Sequence, residues 1–263
     1  MDAEHSSLEP LIGYEEIKRR HLFGLPLVSA MKDPTSGRPI EMTPEMVRDI
    51  IEGAVATVEQ DCHIELFPVQ HAVKLPFDRT LYESFGFVKL PHRPVASIEA
   101  LAVTPSNNIN IYSVPLDWVE TSYLPRGQLN LIPLTVAFGS GSLGTIPATS
   151  TGGAFFLSIL GQRAWVPAFW KVTYTTGFAG GLFPRMINEL IGTVAAQEIL
   201  SMLAATYARN SSFSLSIDGL GQSVSTPGPN TFTVRSEALE MKRKRLTGQV
   251  RAKFGTKLFS GTL

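Results

Sequence analysis

The stretch that decides the fold covers residues 171–207 and reads KVTYTTGFAGGLFPRMINELIGTVAAQEILSMLAATY. Its first six residues are rich in β-branched and aromatic side chains, which suit a pleated, half-buried strand. The glycines that follow tolerate positive φ and let the chain turn sharply: Gly177, Gly180 and Gly181. Pro184 suits the first position of a helix, where its fixed φ is helical and its missing N–H is not needed. The stretch therefore predicts a strand, a glycine corner and a long helix over residues 184–208.

The predicted helix carries apolar side chains on almost every side. A helix without a wide polar face packs on several neighbours at once, and in a chain of this size those could include other subunits. Asn188 and Glu189 interrupt it, so it lacks the run of about 18 apolar residues that spans a membrane. We therefore expect no membrane contact, and we assign packing between subunits to Ile187, Leu190, Ile191, Val194, Ile199 and Leu203.

Two further helices are predicted on either side of this stretch. Thr43, Pro44 and Glu45 supply an N-cap, a first-turn proline and a first-turn acid, and apolar residues recur at helical spacing over 43–62. A last helix is predicted over 235–253, with apolar residues on one side: Leu239, Leu246 and Val250.

Residues 63–176 have a different residue pattern, because short β-rich runs alternate with proline, glycine and asparagine. Many short strands with turn signals between them predict a small sandwich or barrel. The predicted strands are Ile64–Phe67, Ala72–Leu75, Gly86–Leu90, Ile98–Thr104, Asn110–Ser113, Trp118–Thr121, Gln128–Ile132, Ala154–Ile159 and Phe169–Thr176.

These elements predict an α+β fold, a helical bundle core with a large β-rich insertion. The first two long helices must meet in space to bury their apolar faces, although the β region separates them in sequence. A short helix is expected at Tyr14–Arg20, followed by a loop over 31–42. The predicted organisation is an N-terminal arm and short helix at 1–42, a helical core at 43–62 and 184–208, a β-rich insertion at 63–176, an extended arm at 209–234, and a basic C-terminal helix and tail at 235–263.

Composition excludes several classes of protein. The formal net charge is zero, so the whole molecule is not attracted to nucleic acid and any such contact needs a local patch. Cys62 is the only cysteine, which excludes an intrachain disulfide and a cysteine-based zinc site. The first ten residues, MDAEHSSLEP, have neither the basic nor the apolar region of a signal peptide, so we expect synthesis in a cytoplasm.

No pattern in the sequence indicates catalysis, a cofactor or a metal. Residues 139–144 spell G-x-G-x-x-G, but a loop-like segment follows where nucleotide binding needs a helix. His63, His71 and His92 match no zinc spacing and are interpreted as ordinary surface or packed histidines. Ser216 to Gly219 is interpreted as a turn, and no G-x-S-x-G nucleophile elbow is present. We therefore expect a protein that is not an enzyme and has no cofactor.

The basic run Lys242–Arg245 admits three interpretations. It is a solvated helix face, a phosphate contact, or a docking surface for an acidic partner. Apolar residues in the tail, Phe254 to Phe259, favour docking, since isolated apolar residues at a terminus otherwise stay disordered.

The order of three pieces resembles tailed-phage head–tail connector (adaptor, or head completion) proteins. These pieces are the helix at 43–62, the phrase LPHRPVASIEALAV at 90–103, and the strand, glycine corner and helix that begin VTYTTGF. The resemblance implies a structural virion protein in the neck, forming a ring of twelve copies on the portal that extends the DNA channel. It also implies that the C-terminal part engages the portal, through Arg235, Lys242, Arg243, Lys244, Arg245, Arg251, Lys253, Phe254 and Phe259.

The partners implied by the resemblance are the portal protein, a neck or tail-terminator (stopper) protein and other copies of the chain. A ring around the channel would also allow non-specific contact with packaged DNA. Two other hypotheses stay open. One is a DNA-binding module that acts through the basic C-terminal segment, and the other is an enzyme with a β-rich domain.

Overall fold

The computed structural model describes residues 8–25, 27–32, 34–80, 87–104, 112–131, 164–208, 216–217, 220–221 and 230–255. The helices in that part of the chain are α1 (Tyr14–Arg20), α2 (Pro44–Cys62), α3 (Arg185–Ala208) and α4 (Asn230–Phe254). The strands are β1 (Leu8–Pro10), β2 (Val28–Lys32), β3 (Pro39–Glu41), β4 (Val69–Asp78), β5 (Phe87–Lys89), β6 (Val95–Val103), β7 (Tyr112–Ser113), β8 (Val119–Glu120), β9 (Gln128–Leu131), β10 (Trp165–Thr176), β11 (Leu182–Pro184), β12 (Ser216–Ile217) and β13 (Leu220–Gly221). The predicted α+β class is confirmed.

The chain forms two compact units. One comprises Met1–Cys62 and Gly181–Val250 and contains the long helices, so we call it the helical unit. The other comprises His63–Gly180 and Arg251–Leu263 and contains the larger sheets, so we call it the β unit. No helix among the described residues is both long enough and apolar enough to cross a membrane.

Helix α3 is the centre of the helical unit. Elements α1, α2, β1, β2 and β11 all contact it, and they bury the six residues that the sequence assigns to packing between subunits: Ile187, Leu190, Ile191, Val194, Ile199 and Leu203. Each buried Leu, Ile or Val side chain contributes roughly 1.5–3 kcal/mol of hydrophobic stabilisation. These six side chains are therefore core residues of the single chain.

The β unit contains a four-stranded and a three-stranded sheet. Their strand orders are β4-β10-β6-β7 and β5-β9-β8, and every pairing is antiparallel. One buried cluster includes residues of both sheets, such as Val172 and Tyr174 from the first and Leu129 and Leu131 from the second. Two sheets that share an apolar core form a small sandwich, which is one of the two arrangements, sandwich or barrel, that the sequence predicts.

The glycine corner between β10 and α3 is confirmed in its backbone geometry. Gly177 has a φ of 84°, and a Cβ built on it would lie 2.2 Å from the carbonyl oxygen of Phe67. Both the left-handed φ and the close approach of backbone require glycine there. Gly180 and Gly181 share the positive φ.

Several predicted boundaries are wrong in detail. Residues Ile64–Phe67 are not a strand, because their backbone groups bond to loops: Glu65 N donates to Arg93 O, and Phe178 N donates to Leu66 O. The predicted loop at 31–42 instead contributes to the β2–β3 hairpin. Pro184 ends β11 opposite Leu8, and α3 begins one residue later.

The C-terminal half also differs from expectation. Helix α4 begins at Asn230, so residues 230–234 are helical rather than part of an extended arm. Strands β12 and β13 pair with each other inside that segment. The predicted turn residues Asp218 and Gly219, the predicted strand at 154–159 and the glycine-rich segment at 139–144 lie outside the described residues.

The N-terminal segment is joined to α3 by strand pairing and by one buried amide. Strand β1 pairs with β11, and Asn188 is 1% exposed beneath it. Asn188 Oδ1 accepts a hydrogen bond from Ile12 N at 3.3 Å, and Nδ2 donates to Pro10 O at 2.6 Å. Residues 8–12 are therefore an integral part of the helical unit rather than a free arm.

Gly192 allows the residues after β1 to approach α3 closely. A Cβ at this position would lie 2.5 Å from His21 Nε2 and 2.7 Å from Ile12 Cδ1. We therefore expect Gly192→Ala to lower the free energy of unfolding by about 1–3 kcal/mol, as overpacking does. Denaturant unfolding of the purified variant measures this change.

Gly53 is the matched control, because it is an exposed glycine inside α2 with nothing within 4 Å of a built Cβ. Gly53→Ala should raise stability by up to about 1 kcal/mol through helix propensity alone. Equal effects of the two substitutions would contradict the close packing at Gly192.

His21 is a buried imidazole, 1% exposed, beside α3. Neither of its ring nitrogens has a hydrogen-bond partner within the described part of the chain. Burial lowers the pKa of His21 to about 4, with a further lowering by Lys242 and an opposing effect of Glu189. The ring is therefore neutral in the folded protein at neutral pH.

This lowered pKa predicts loss of stability in mild acid. Below about pH 6.5 the unfolded chain protonates His21 while the folded chain does not, so lowering the pH favours unfolding until the folded pKa is reached. We expect the free energy of unfolding to fall by about 1.4 kcal/mol per pH unit within that window. Denaturant titrations between pH 7.5 and 5 should show this slope in the native protein and a flatter one in His21→Leu.

His63→Asn is the control, because His63 is exposed and has a φ of 54° that asparagine tolerates. It should keep the native slope. A His21→Leu slope equal to the native one would show that His21 is not the group responsible.

Candidate functional site

Helix α4 has two faces of different character. Its inward face is apolar, and Leu239, Leu246 and Val250 are buried there. At 100° per residue, the four members of the basic run point in different directions around the helix. The run Lys242–Arg245 is therefore not one patch, and its members have different partners.

The basic residues beside the inward face are bound to other parts of the helical unit. Lys242 Nζ lies 2.7 Å from Glu189 Oε1 on α3. Arg243 Nη2 lies 2.7 Å from Asp61 Oδ2 on α2. The hydrogen bond from Lys242 lowers the pKa of Glu189 below its ordinary value, although burial opposes this. These two ion pairs therefore hold α4 against α3 and α2.

Arg235 belongs to the same group by its contacts. Its Nη2 donates a hydrogen bond of 2.8 Å to the carbonyl oxygen of His21. Gln197 Nε2 on α3 also donates to Glu240 Oε2 on α4 at 2.9 Å. Polar side chains therefore join α4 to the helical unit over several turns.

The outward face of α4, defined here as Val234, Ala238, Met241, Lys244 and Arg245, is exposed to solvent. Its two large apolar residues are the most notable, since Val234 is 67% exposed and Met241 is 69% exposed. The Lys244 ammonium lies 3.5 Å from Glu240 Oε1, but its side chain is 76% exposed, so this pair contributes little. The face combines apolar side chains with two exposed cations, which suits association with a partner.

The structure therefore separates the residues that the resemblance assigns to portal docking. Arg235, Lys242 and Arg243 contact the chain itself. Lys244, Arg245, Arg251 and Lys253 are exposed. Phe254 is 4% exposed and packs edge-on against Phe178 of the same β unit at a centroid distance of 5.6 Å. Phe259 lies outside the described residues.

A second candidate site lies in the β unit, where two imidazole rings converge on one carboxylate. His71 Nε2 lies 2.7 Å from Glu65 Oε2, and His92 Nδ1 lies 2.9 Å from Glu65 Oε1. The two rings are stacked, with centroids 4.0 Å apart and planes 2° apart. Thr176 donates its hydroxyl to the same carboxylate. These groups are the donors that a divalent metal prefers.

Hydrogen bonds set the electrostatics of this cluster. Burial acts to raise the pKa of Glu65, but the hydrogen bonds from Thr176 and His71 outweigh it, so the pKa lies below its ordinary value. Burial raises the pKa of Tyr174, and its hydroxyl accepts a 3.4 Å hydrogen bond from His92 N. The carboxylate is thus ionised and the phenol neutral at neutral pH.

Sequence spacing does not indicate this cluster. His71 lies on β4, while Glu65 and His92 lie on separate loop segments, and only the folding of the sheet brings them together. His71 and His92 are interpreted from the sequence as ordinary histidines because they match no zinc spacing. A zinc spacing describes only ligands that lie together in one local motif.

No protein-family profile and no curated protein matches this sequence. A structure described as the virion of a native gene transfer agent (GTA) particle is similar over 97% of this chain and 98% of its own, with 16% identity and a TM-score of 0.39. The neck of a native GTA particle, computed with C12 symmetry, is similar over 82% and 85%, with 18% identity and a TM-score of 0.37. The neck of an empty GTA particle, computed with C6 symmetry, is similar over 97% and 98%, with 15% identity and a TM-score of 0.39. At these identities and TM-scores the likeness establishes neither a shared fold nor a shared function.

Proposed function

We propose that this chain is a structural protein of a phage-like virion, a head–tail connector adaptor in the neck. It forms a ring on the portal, extends the DNA channel and presents a surface to the next neck or tail protein. Its role is assembly rather than catalysis.

The proposal rests on the positions of the three sequence pieces that resemble the adaptor family. Helix α2 packs directly against α3. Strand β6, which lies within the second piece, pairs with β10, the strand of the third. Pieces that are far apart in sequence are therefore neighbours within the helical unit or within the β unit. This is the arrangement expected if the pieces define one architecture.

The outward face of α4 is the surface that this function would use. Exposed apolar residues beside cations favour a protein partner, because a partner both buries the apolar area and orients on the charge. The docking role falls to Val234, Met241, Lys244 and Arg245, in place of the larger set of C-terminal residues named from the sequence. Copies of the chain meet through exposed residues, since the apolar residues of α3 are already covered.

The same exposed cations allow a second function. Lys244 and Arg245 could neutralise phosphates of DNA, which gives affinity that falls steeply with salt concentration. The exposed Val234 and Met241 favour a protein partner, since phosphate contact makes no use of them.

The first test is the mass of the purified protein, alone and with a cognate portal ring, by light scattering with electron micrographs of the same fractions. A ring, or a monomer that becomes a ring only on the portal, is the expected result. A monomer that ignores the portal would contradict the proposal.

Two double variants of equal charge change locate the docking surface. Lys244→Ala with Arg245→Ala should weaken portal binding at least tenfold and leave the melting temperature unchanged, because both side chains are exposed. Lys242→Ala with Arg243→Ala should instead lower the free energy of unfolding by about 1 kcal/mol, because Glu189 and Asp61 lose their partners. Binding is measured by co-sedimentation and stability by thermal denaturation.

The outcomes separate the competing functions. Equal loss of portal binding in both double variants would show that net charge, not this face, matters. If the outward double variant keeps its portal binding but loses salt-dependent DNA binding, phosphate contact is the function of the face.

A further inference from the structure

We propose that Glu65, His71 and His92 form a binding site for one divalent transition-metal ion of the Zn²⁺ class. The site lies wholly in the β unit and is independent of the proposed portal function. No other group of three His, Cys, Asp or Glu side chains in the described part of the chain has its ligand atoms so close together.

The separations between the ligand atoms fit a metal after a small adjustment. All three donor atoms lie within 4.8 Å of one another. A tetrahedral ion about 2.1 Å from each ligand places the ligands about 3.4 Å apart. His71 Nε2 and His92 Nδ1 lie 2.7 and 2.9 Å from different oxygens of Glu65, so each nitrogen–oxygen pair must open by about 0.5–0.7 Å. The two parallel rings must also tilt so that both nitrogens face the ion. Side-chain torsions of partly exposed residues can supply this opening.

Main-chain contacts hold the three ligands in place. Glu65 N donates to Arg93 O at 2.7 Å, which ties the segment of Glu65 to the turn that carries His92. Gly177 N donates to Pro94 O at 2.9 Å, which ties the same turn to the end of β10. His71 lies opposite Tyr174 in the β4–β10 ladder. The ligands are thus pre-positioned by the backbone, which lowers the entropic cost of binding an ion.

Access and charge also suit a divalent ion. The side chains of His71, Glu65 and His92 are 17%, 28% and 41% exposed, so an ion can enter from solvent and keep a water as its fourth ligand. Two neutral imidazoles and one carboxylate match the donor preference of Zn²⁺ and leave one net positive charge at the site. A softer ion would need a thiolate, and Cys62 is buried in the helical unit.

Co²⁺ is the probe of choice, because its visible absorption reports four- or five-coordinate binding directly. The full chain, stripped with a chelator, should bind one Co²⁺ per chain and lose the absorption when Zn²⁺ is added. Zn²⁺ should also raise the melting temperature of the native protein by mass action.

Three variants decide whether these residues hold the ion. His92→Gln and Glu65→Gln should each weaken Co²⁺ binding at least tenfold and abolish the Zn²⁺-induced shift in melting temperature. His63→Asn removes an exposed histidine outside the cluster, at a φ that asparagine tolerates, and should bind like the native protein. His92 is the more exposed ligand, so its variant keeps the test valid if Glu65→Gln fails to fold.

Two results would overturn the proposal. One is the absence of Co²⁺ absorption at millimolar metal, which would leave the cluster as a hydrogen-bonded pair of histidines. The other is binding that survives in both His92→Gln and Glu65→Gln, which would place the ion on other residues.

Discussion

The constraint on which the helical unit depends is that α3 is apolar over most of its circumference. A helix that is apolar on most sides excludes water from those sides only if several elements cover them. Here α2, α1 and short strands do so. One stripe of side chains stays exposed: Glu198, Ser201, Met202 and Ala205. Two buried polar side chains of α3 are satisfied internally, since Asn188 binds the backbone beside β1 and Thr193 donates to Glu189 O at 2.7 Å. The residues before α2 are therefore part of the enclosure, and the helical core is larger than two helices.

The long helices could be predicted from the sequence because their signals are local. Periodicity and capping residues placed α2 and α3 within a residue or two, and the glycines of the corner have the positive φ expected of them. The short strands could not be predicted in the same way. Strands β1 and β11 have three residues each and both end in proline, so neither shows alternation and their pairing is decided by distant contacts. Conversely, residues 64–67 show the apolar alternation of a strand because the side chains of Ile64 and Leu66 are buried. Their backbone nevertheless forms its hydrogen bonds with loops rather than with a neighbouring strand.

The candidate functional residues are even harder to predict from the sequence than the short strands. The sequence shows a run of basic residues, but it does not show which of them pair within the chain and which face solvent. Helix geometry and ion-pair partners far along the chain decide this. Asp61 and Glu189 belong to α2 and α3, and nothing near Lys242 or Arg243 indicates that these carboxylates will meet them. Only after those pairs are formed does the remainder of α4 stand out as a surface. Cations that stabilise the fold are poor candidates for recognition, since using them for a partner would break their ion pairs with Glu189 and Asp61.

The cluster of Glu65, His71 and His92 in the β unit also forms around a carboxylate whose charge needs partners. A partly buried carboxylate needs donors, and Glu65 has a hydroxyl and two imidazoles, each carried by a different segment. Fewer groups could satisfy the carboxylate by hydrogen bonds alone, because Thr176 and His71 already contact its Oε2. The second histidine is stacked on the first and contacts the other oxygen, which gathers three donors of metal-binding type at one point of the sheet. With or without an ion, this point joins β4, the end of β10 and the turn before β6. An ion would strengthen a junction that the hydrogen bonds have already formed, and this explains why the ligands are in place before it binds.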